Sequence, residues 1–120
     1  MDKMKLGAVE MRFADIIWHN APVSSGDLVK LAETYLKWKK STTYTVLKKL
    51  CDRGIFQNVK GSVTCLVTKE EFLAMQSEKV VEESFEGSLP SFLAAFVSRK
   101  KLSRAELQEI RDMIDSMEEE

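Results

Sequence analysis

The amino-terminal part of the chain contains two stretches in which apolar residues recur every three or four positions. The first stretch carries Leu6, Val9, Phe13, Ile16 and Ile17. It predicts a helix from about Gly7 to His19, which ends before Pro22 because proline lacks an amide donor. The second stretch begins at Ser24, whose hydroxyl suits a helix N-cap. Its inward side is predicted to consist of Leu28, Leu31, Ala32 and Tyr35.

A third helix is predicted from Ser41 to Arg53, because Gly54 suits a left-handed helix terminus. Its core side carries Val46, Leu47 and Leu50. The side chains left facing outwards are Ser41, Thr42, Tyr44, Thr45, Lys48 and Lys49. We expect this outward face to lack acidic residues, unlike a merely solvated helix, which usually mixes Glu with Lys. Hydroxyls reach base edges or phosphates, and lysines neutralise phosphates, so the face favours DNA binding.

Two short β-prone runs follow the third helix. They cover residues 55–60 and 63–67, and Gly61 with Ser62 between them predicts a hairpin. Three helices and then a hairpin is the element order of a winged helix-turn-helix domain, in which the third helix enters the major groove. The hairpin tip is poor in charge, with Lys60 as its expected phosphate contact.

The remaining residues predict three amphipathic helices, which begin near Thr68, Ser88 and Ser103. Their apolar faces contain Phe85, Leu89, Phe92, Leu93, Phe96, Leu107, Ile110 and Ile114. About 50 residues are too few for a strong independent core, so these faces need a partner. A second copy of the segment, related by a two-fold axis, is the favoured partner. The alternative is a monomer in which the helices fold back on the first domain.

The predicted fold is therefore mainly α with a small β-hairpin, a winged helix-turn-helix domain at residues 1–68 and an α-helical dimerisation region at residues 69–120. Charge supports this division. The 120 residues sum to a net charge of −1, but residues 1–68 hold eleven Lys and Arg against six Asp and Glu, a net +5. Residues 69–120 hold seven against thirteen, a net −6. A basic first half suits a polyanion such as double-stranded DNA.

Several classes of function have no support in the sequence. No stretch is long and apolar enough for a membrane span, and the charged amino terminus lacks a signal pattern, so we expect a cytoplasmic protein. Cys51 and Cys65 are expected to be small buried hydrophobes. His19, the single histidine, is expected to cap a helix end. We therefore expect no metal, no cofactor and no enzymatic activity.

An ordered series of segments resembles the penicillinase and methicillin-resistance repressors, over nearly the whole chain. The segments are Ala14 to Trp18, Ser41 to Leu50 with Gly54, Gly87 to Leu89, Leu93 to Val97, Leu102 with Ser103, Glu106 with Leu107, and Ile110 with Arg111. The resemblance implies a homodimeric repressor on a two-fold symmetric operator. By position, it implies that Ser41, Thr42 and Thr45 contact bases and that Lys48 and Lys49 lie near phosphates.

The chain also departs from that family's pattern. Lys40 replaces a proline that often stands just inside the recognition helix; we include Lys40 among the DNA-binding residues. Antibiotic-responsive members are cleaved at an Asn-Phe bond, which corresponds here to Ala95–Phe96, so whether a sensor protease is a partner stays open. The cysteine-rich end of the copper-responsive branch is absent, which excludes copper sensing by that route. One rival hypothesis remains, a winged-helix adaptor that binds proteins and not DNA.

Overall fold

The computed structural model describes residues 5–119 of the chain. These residues divide into two compact units, with the division between Glu78 and Lys79. The division lies inside a helix, α4 (Lys69–Ser84), so the first turns of α4 belong to the first unit. The proposed boundary between residues 68 and 69 stays a prediction.

The first unit is built from three helices, a small sheet and the start of α4. Its elements are α1 (Ala8–Asn20), β1 (Val23–Ser24), α2 (Ser25–Leu36), α3 (Lys40–Asp52), β2 (Phe56–Val59) and β3 (Ser62–Cys65). The order of three helices followed by a hairpin confirms the predicted winged helix-turn-helix architecture, mainly α with a small antiparallel sheet.

The sheet has the strand order β1-β3-β2, and both pairings are antiparallel. Phe56 pairs with Cys65 within the hairpin, and Val23 pairs with Val63 on the other side of β3. Strand β1 was not predicted. It is two residues long, too short to show an alternating pattern, and its pairing with β3 joins residues that are distant in the chain.

Local signals for the helix ends agree with the structure. The Ser24 hydroxyl accepts a hydrogen bond from the Asp27 amide at 3.0 Å, which caps α2 as predicted. At the other end of α2, Lys37 adopts a left-handed conformation with φ 60°. Gly54 adopts φ 82° directly behind α3, a conformation that glycine reaches without steric cost.

The core of the first unit lies between the three helices, the sheet and α4. Its buried apolar residues are Phe13, Ala14, Ile17, Leu28, Ala32, Leu47, Leu50, Ile55, Phe56, Val63 and Phe72. Two tryptophans close its rim. Trp18 donates its indole N–H to the Val67 carbonyl at 3.0 Å, and Trp38 packs its ring 5.0 Å from that of Phe13. Buried aromatic rings of this kind dominate the packing energy of a small core.

Two residues of the predicted apolar stripes are exposed to solvent and not buried in the core. Val9 is 50% exposed in the first turn of α1, and Tyr35 is 62% exposed in the last turn of α2. The prediction that Tyr35 lies on the inward side of its helix was therefore wrong. Apolar spacing identifies a face of a helix, but the ends of that face can extend beyond the layer against which the helix packs.

The second unit contains the end of α4, α5 (Leu89–Val97) and α6 (Arg104–Glu118). The predicted caps are present: Ser88 accepts from the Ser91 amide, and Ser103 forms a reciprocal capping box with Glu106. Among the described residues from 79 to 119, none is buried. Within residues 5–119, no helix has the length and apolar character needed to cross a membrane.

Candidate nucleic-acid interface

Helix α3 presents one buried and one open side. Thr43, Leu47 and Leu50 are buried, and the Thr43 hydroxyl donates to the Lys39 carbonyl at 3.2 Å, which satisfies the one buried polar side chain of this face. The opposite side is open to solvent. All the predicted contact residues on it are exposed, namely Lys40, Ser41, Thr42, Tyr44, Thr45, Lys48 and Lys49.

Three hydroxyls stand at the start of this open side. Thr45 donates its hydroxyl hydrogen to the Ser41 carbonyl at 2.9 Å, so its oxygen remains an acceptor. The hydroxyls of Ser41 and Thr42 make no intramolecular hydrogen bond within residues 5–119. A free hydroxyl both donates and accepts, and it can pair with either kind of group on a base edge or with a phosphate oxygen.

The second half of α3 carries lysines that are already paired. Lys48 Nζ lies 3.1 Å from the Asp52 carboxylate, one turn along the helix, and Lys49 Nζ lies 3.6 Å from Glu10 of α1. Asp52 is exposed on the same side as Lys48, so the expectation of an outward face without acidic residues was wrong at this end. The acid-free part of α3 is limited to its first three turns.

Glu10 connects α1 to the end of α3. Its carboxylate lies 3.6 Å from both Lys49 and Arg53, and Arg53 also donates to the Lys5 carbonyl at 3.0 Å. The side chains of Glu10 and Arg53 are both mostly buried, which makes this pair less screened than the exposed Lys48–Asp52 pair. The contact orients the end of α3 relative to α1. Sequence spacing gave no sign of it.

The tip of the hairpin is tied to the beginning of α2. Lys60 and Gly61 both adopt positive φ, at 52° and 82°, and the Gly61 carbonyl accepts from the Ser25 amide at 2.8 Å. The Ser25 hydroxyl in turn accepts from the Tyr44 hydroxyl of α3 at 3.3 Å. Exposed Lys60 is thus held near the first turn of α2. Ser25 was not among the predicted site residues, because its role depends on tertiary contacts.

The α2–α3 turn adds two exposed lysines, Lys37 and Lys39, to the predicted Lys40. The sequence signal for them was the run of basic residues around Trp38, which lies outside the periodic stripes. None of the three lysines forms an ion pair within the described residues.

The proposed dimerisation residues are apolar side chains of α5 and α6, together with Phe85 directly after α4. Leu89 is 61% exposed, and Leu93, Phe96, Leu107 and Ile114 are also exposed. Phe85, Phe92 and Ile110 are half-buried. The centroid of the Phe92 ring lies 5.5 Å from that of Phe85 and 6.3 Å from that of Phe96. Ala95 and Phe96, the two sides of the corresponding cleavage bond, are exposed within α5.

The cysteines do not match the prediction of two buried hydrophobes. Cys51 is half-buried, whereas Cys65 is exposed at the end of β3. Burial and the neighbouring Asp52 carboxylate raise the pKa of the Cys51 thiol, and partial burial raises the pKa of Cys65. Both thiols are therefore weak nucleophiles at neutral pH.

In the described part of the chain, no three His, Cys, Asp or Glu residues cluster in a way that would hold a metal ion.

The family model for the penicillinase repressor matches residues 6–116, which includes both units and the whole of α3. The chain belongs to the penicillinase repressor family. This match confirms the resemblance seen in the sequence. The family consists of DNA-binding transcriptional repressors, in agreement with the expectation of a transcriptional regulator.

Curated relatives of this chain match over nearly its full length at low identity. The methicillin resistance regulatory protein MecI of Staphylococcus aureus strain Mu50 is 21% identical over 115 residues, covering 92% of this chain and 94% of that protein. The penicillinase repressor of Bacillus licheniformis is 20% identical over 115 residues, covering 92% and 90%. The penicillinase repressor of Staphylococcus aureus is 21% identical over 119 residues, covering 96% and 94%.

Proposed function

We propose that the protein represses transcription by binding double-stranded DNA as a homodimer on a two-fold symmetric operator. Helix α3 enters the major groove, with Ser41, Thr42 and Thr45 at base edges and Lys40, Lys48 and Lys49 near phosphates. Tyr44 lies at the edge of this interface, and Lys60 of the hairpin reaches the neighbouring backbone.

The observation that carries the proposal is the open side of α3. Its first three turns expose hydroxyls and Lys40 with no acidic residue, on a helix whose opposite side is anchored in the core. A helix held in this way keeps its side chains in register with a groove, and hydroxyls and lysines are donors that suit bases and phosphates. The rival adaptor hypothesis has no comparable surface feature in its favour.

The homodimer is supported by the uncovered apolar surface of α5 and α6. Single winged-helix modules bury a limited area on DNA, and pairing two of them raises affinity for a symmetric site. Large apolar side chains left exposed in such number on a small chain mark an association site. A second copy offers a matching apolar surface, because a two-fold interface uses the same patch from both chains.

The first test measures affinity for duplex DNA as the salt concentration increases. The proposal predicts that the logarithm of the binding constant falls linearly with the logarithm of salt concentration. Lys48→Ala and Lys49→Ala should each weaken binding to all sequences and reduce the slope by about one unit for each lost phosphate contact. The ion pair between Lys48 and Asp52 does not prevent Lys48 from contacting a phosphate, because an exposed ion pair contributes only about 0.2–1 kcal/mol.

Footprinting on genomic fragments, starting with the promoter of the protein's own gene, supplies the second test. Protected half-sites should lie on one face of the duplex, separated by about one helical turn or a multiple of it. Thr42→Ala and Thr45→Ala should weaken binding to the protected site much more than binding to random duplex. Absence of any salt-dependent DNA binding by the wild-type protein would favour the adaptor hypothesis.

A further inference from the structure

An open concavity of about 740 Å³ lies where α2 leads into α3. Its lining includes three lysines, Lys37, Lys39 and Lys40, together with Glu33 and Trp38. Three ammonium groups against one carboxylate leave a net charge of +2 around this small surface. Such a local excess of positive charge attracts anions.

The backbone around this concavity is well ordered by local contacts. The Lys37 amide donates to the Glu33 carbonyl at 3.1 Å, and the Trp38 amide donates to the Ala32 carbonyl at 3.3 Å. The Trp38 ring packs against Phe13, so the turn is anchored in the core. The lysines therefore extend from a fixed platform, which lowers the entropy lost when they bind a ligand.

The ion pairing of these lysines differs from that of the lysines later in α3. Lys48 and Lys49 each lie beside a carboxylate, of Asp52 and Glu10 respectively. Within residues 5–119, Lys37, Lys39 and Lys40 have no ion-pair partner. A lysine that leaves a carboxylate to reach a phosphate exchanges one pair for another, whereas an unpaired lysine gains the full contact.

We propose that this concavity binds a phosphate group of the DNA backbone, with Lys37 and Lys39 as contacts beside Lys40. This inference rests on the proposed DNA-binding function and extends it to residues outside α3. Lys39 and Lys40 immediately precede Ser41, so the concavity lies next to the hydroxyls assigned to base edges. The bound phosphate therefore belongs to the strand that borders those bases, and it fixes how far the start of α3 enters the groove.

The test uses the full chain with Lys37→Asn and Lys39→Gln, singly and combined. Asn tolerates the left-handed conformation at position 37, and Gln avoids the new helix cap that Ser would introduce at position 39. The slope of log binding constant against log salt changes by about 0.9 for each phosphate contact on duplex DNA. Because Lys37 and Lys39 contact the same phosphate, the double variant should lose about 0.9 units for each protomer, with weaker binding to operator and random duplex alike.

Two controls accompany these variants. Lys100→Gln removes an exposed lysine from the second unit and should leave the slope unchanged. Glu33→Gln removes the carboxylate that lines the concavity and should strengthen binding about two- to five-fold, the range of an exposed charge interaction. Thermal unfolding of each variant should match that of the wild-type protein, because Glu33, Lys37 and Lys39 are all exposed.

The outcomes separate this inference from the function on which it rests. Ethylation interference should identify a phosphate whose modification weakens the wild-type protein but not the double variant. Wild-type slopes in the double variant, with intact DNA binding, would overturn the phosphate site and leave the proposed function standing. A wild-type protein without DNA binding would overturn the proposed function itself.

Discussion

The two units of this protein differ in what they bury. Within residues 5–119, eleven apolar residues are buried, and all of them lie between Phe13 and Phe72, in the first unit. The second unit, residues 79–119, has regular helices and complete caps but no buried side chain among its described residues. Leu89, Phe96 and Ile114 of this unit are instead 61%, 45% and 50% exposed.

This difference shows that helix formation and core formation are separate requirements. Caps and propensity add about 1 kcal/mol each and are local, whereas burial of a large apolar side chain contributes about 1.5–3 kcal/mol and needs a second surface. The first unit finds that surface within its own chain. The second unit has the helices without the surface, which is the physical argument for a second copy.

The largest effect is expected on the free energy of unfolding, from a substitution that creates a cavity in the core of the first unit. Phe56 is fully buried, and its ring centroid lies 5.4 Å from that of Trp18. Phe56→Ala should destabilise the protein by about 3–5 kcal/mol, measured by urea unfolding. Val59→Ala, at an exposed position of the same strand, is the matched control and should change stability by no more than about 0.5 kcal/mol. Equal effects of the two substitutions would contradict the burial of Phe56 in the core of the first unit.

A charge placed on the apolar surface of the second unit should abolish association. Phe92→Asp and Leu107→Asp would each bury an unpaired carboxylate in the proposed interface, which costs more than the interface gains there. Sedimentation should show monomers, and the stability of the first unit should be unchanged. Ser116→Asp adds the same charge on the face of α6 opposite to Leu107, so it should leave the dimers intact. Intact dimers in both Phe92→Asp and Leu107→Asp would remove this surface from the interface.

The smallest effect tests the capping box of α6. Ser103→Ala removes the hydroxyl that accepts from the Glu106 amide at 3.1 Å and should cost about 1 kcal/mol. If α6 is stabilised through the dimer, this cost arises in both protomers and corresponds to roughly 30-fold weaker association, with no shift in the unfolding of the first unit. Ser103→Asp retains an acceptor at the cap and should behave as wild type. If Ser103→Ala changed only the unfolding of the first unit, the proposed independence of the two units would be wrong.

Much of the fold was predictable because its signals are local. The cap at Ser24, the left-handed glycine at Gly54 and the apolar spacing of Leu47 and Leu50 each depend on residues within one or two turns. The exposed hydroxyls and lysines of α3 followed from the same spacing. The family resemblance, confirmed over residues 6–116, added the link from that fold to repression.

The missed features involve residues distant in the chain or the ends of elements. Strand β1 exists through its pairing with Val63, and the Glu10–Arg53 pair joins α1 to α3. Tyr35 has the spacing of a core residue, but it lies in the last turn of α2, where that helix extends beyond the core. Asp52 lies within the predicted helix, four residues after Lys48, so this ion pair was predictable from the sequence by its i,i+4 spacing but was overlooked.

The sequence alone determined where the helices begin and end, which of their faces are apolar and that α3 exposes hydroxyls and lysines, because these properties depend on spacing within a few turns. The tertiary structure decided which lysines are neutralised by carboxylates and which remain free. It also decided which apolar faces are covered. Apart from the Lys48–Asp52 pair, which lies within α3, those outcomes depend on distances between elements. A Coulomb interaction or a packing contact between elements exists only once the fold has brought the two partners together.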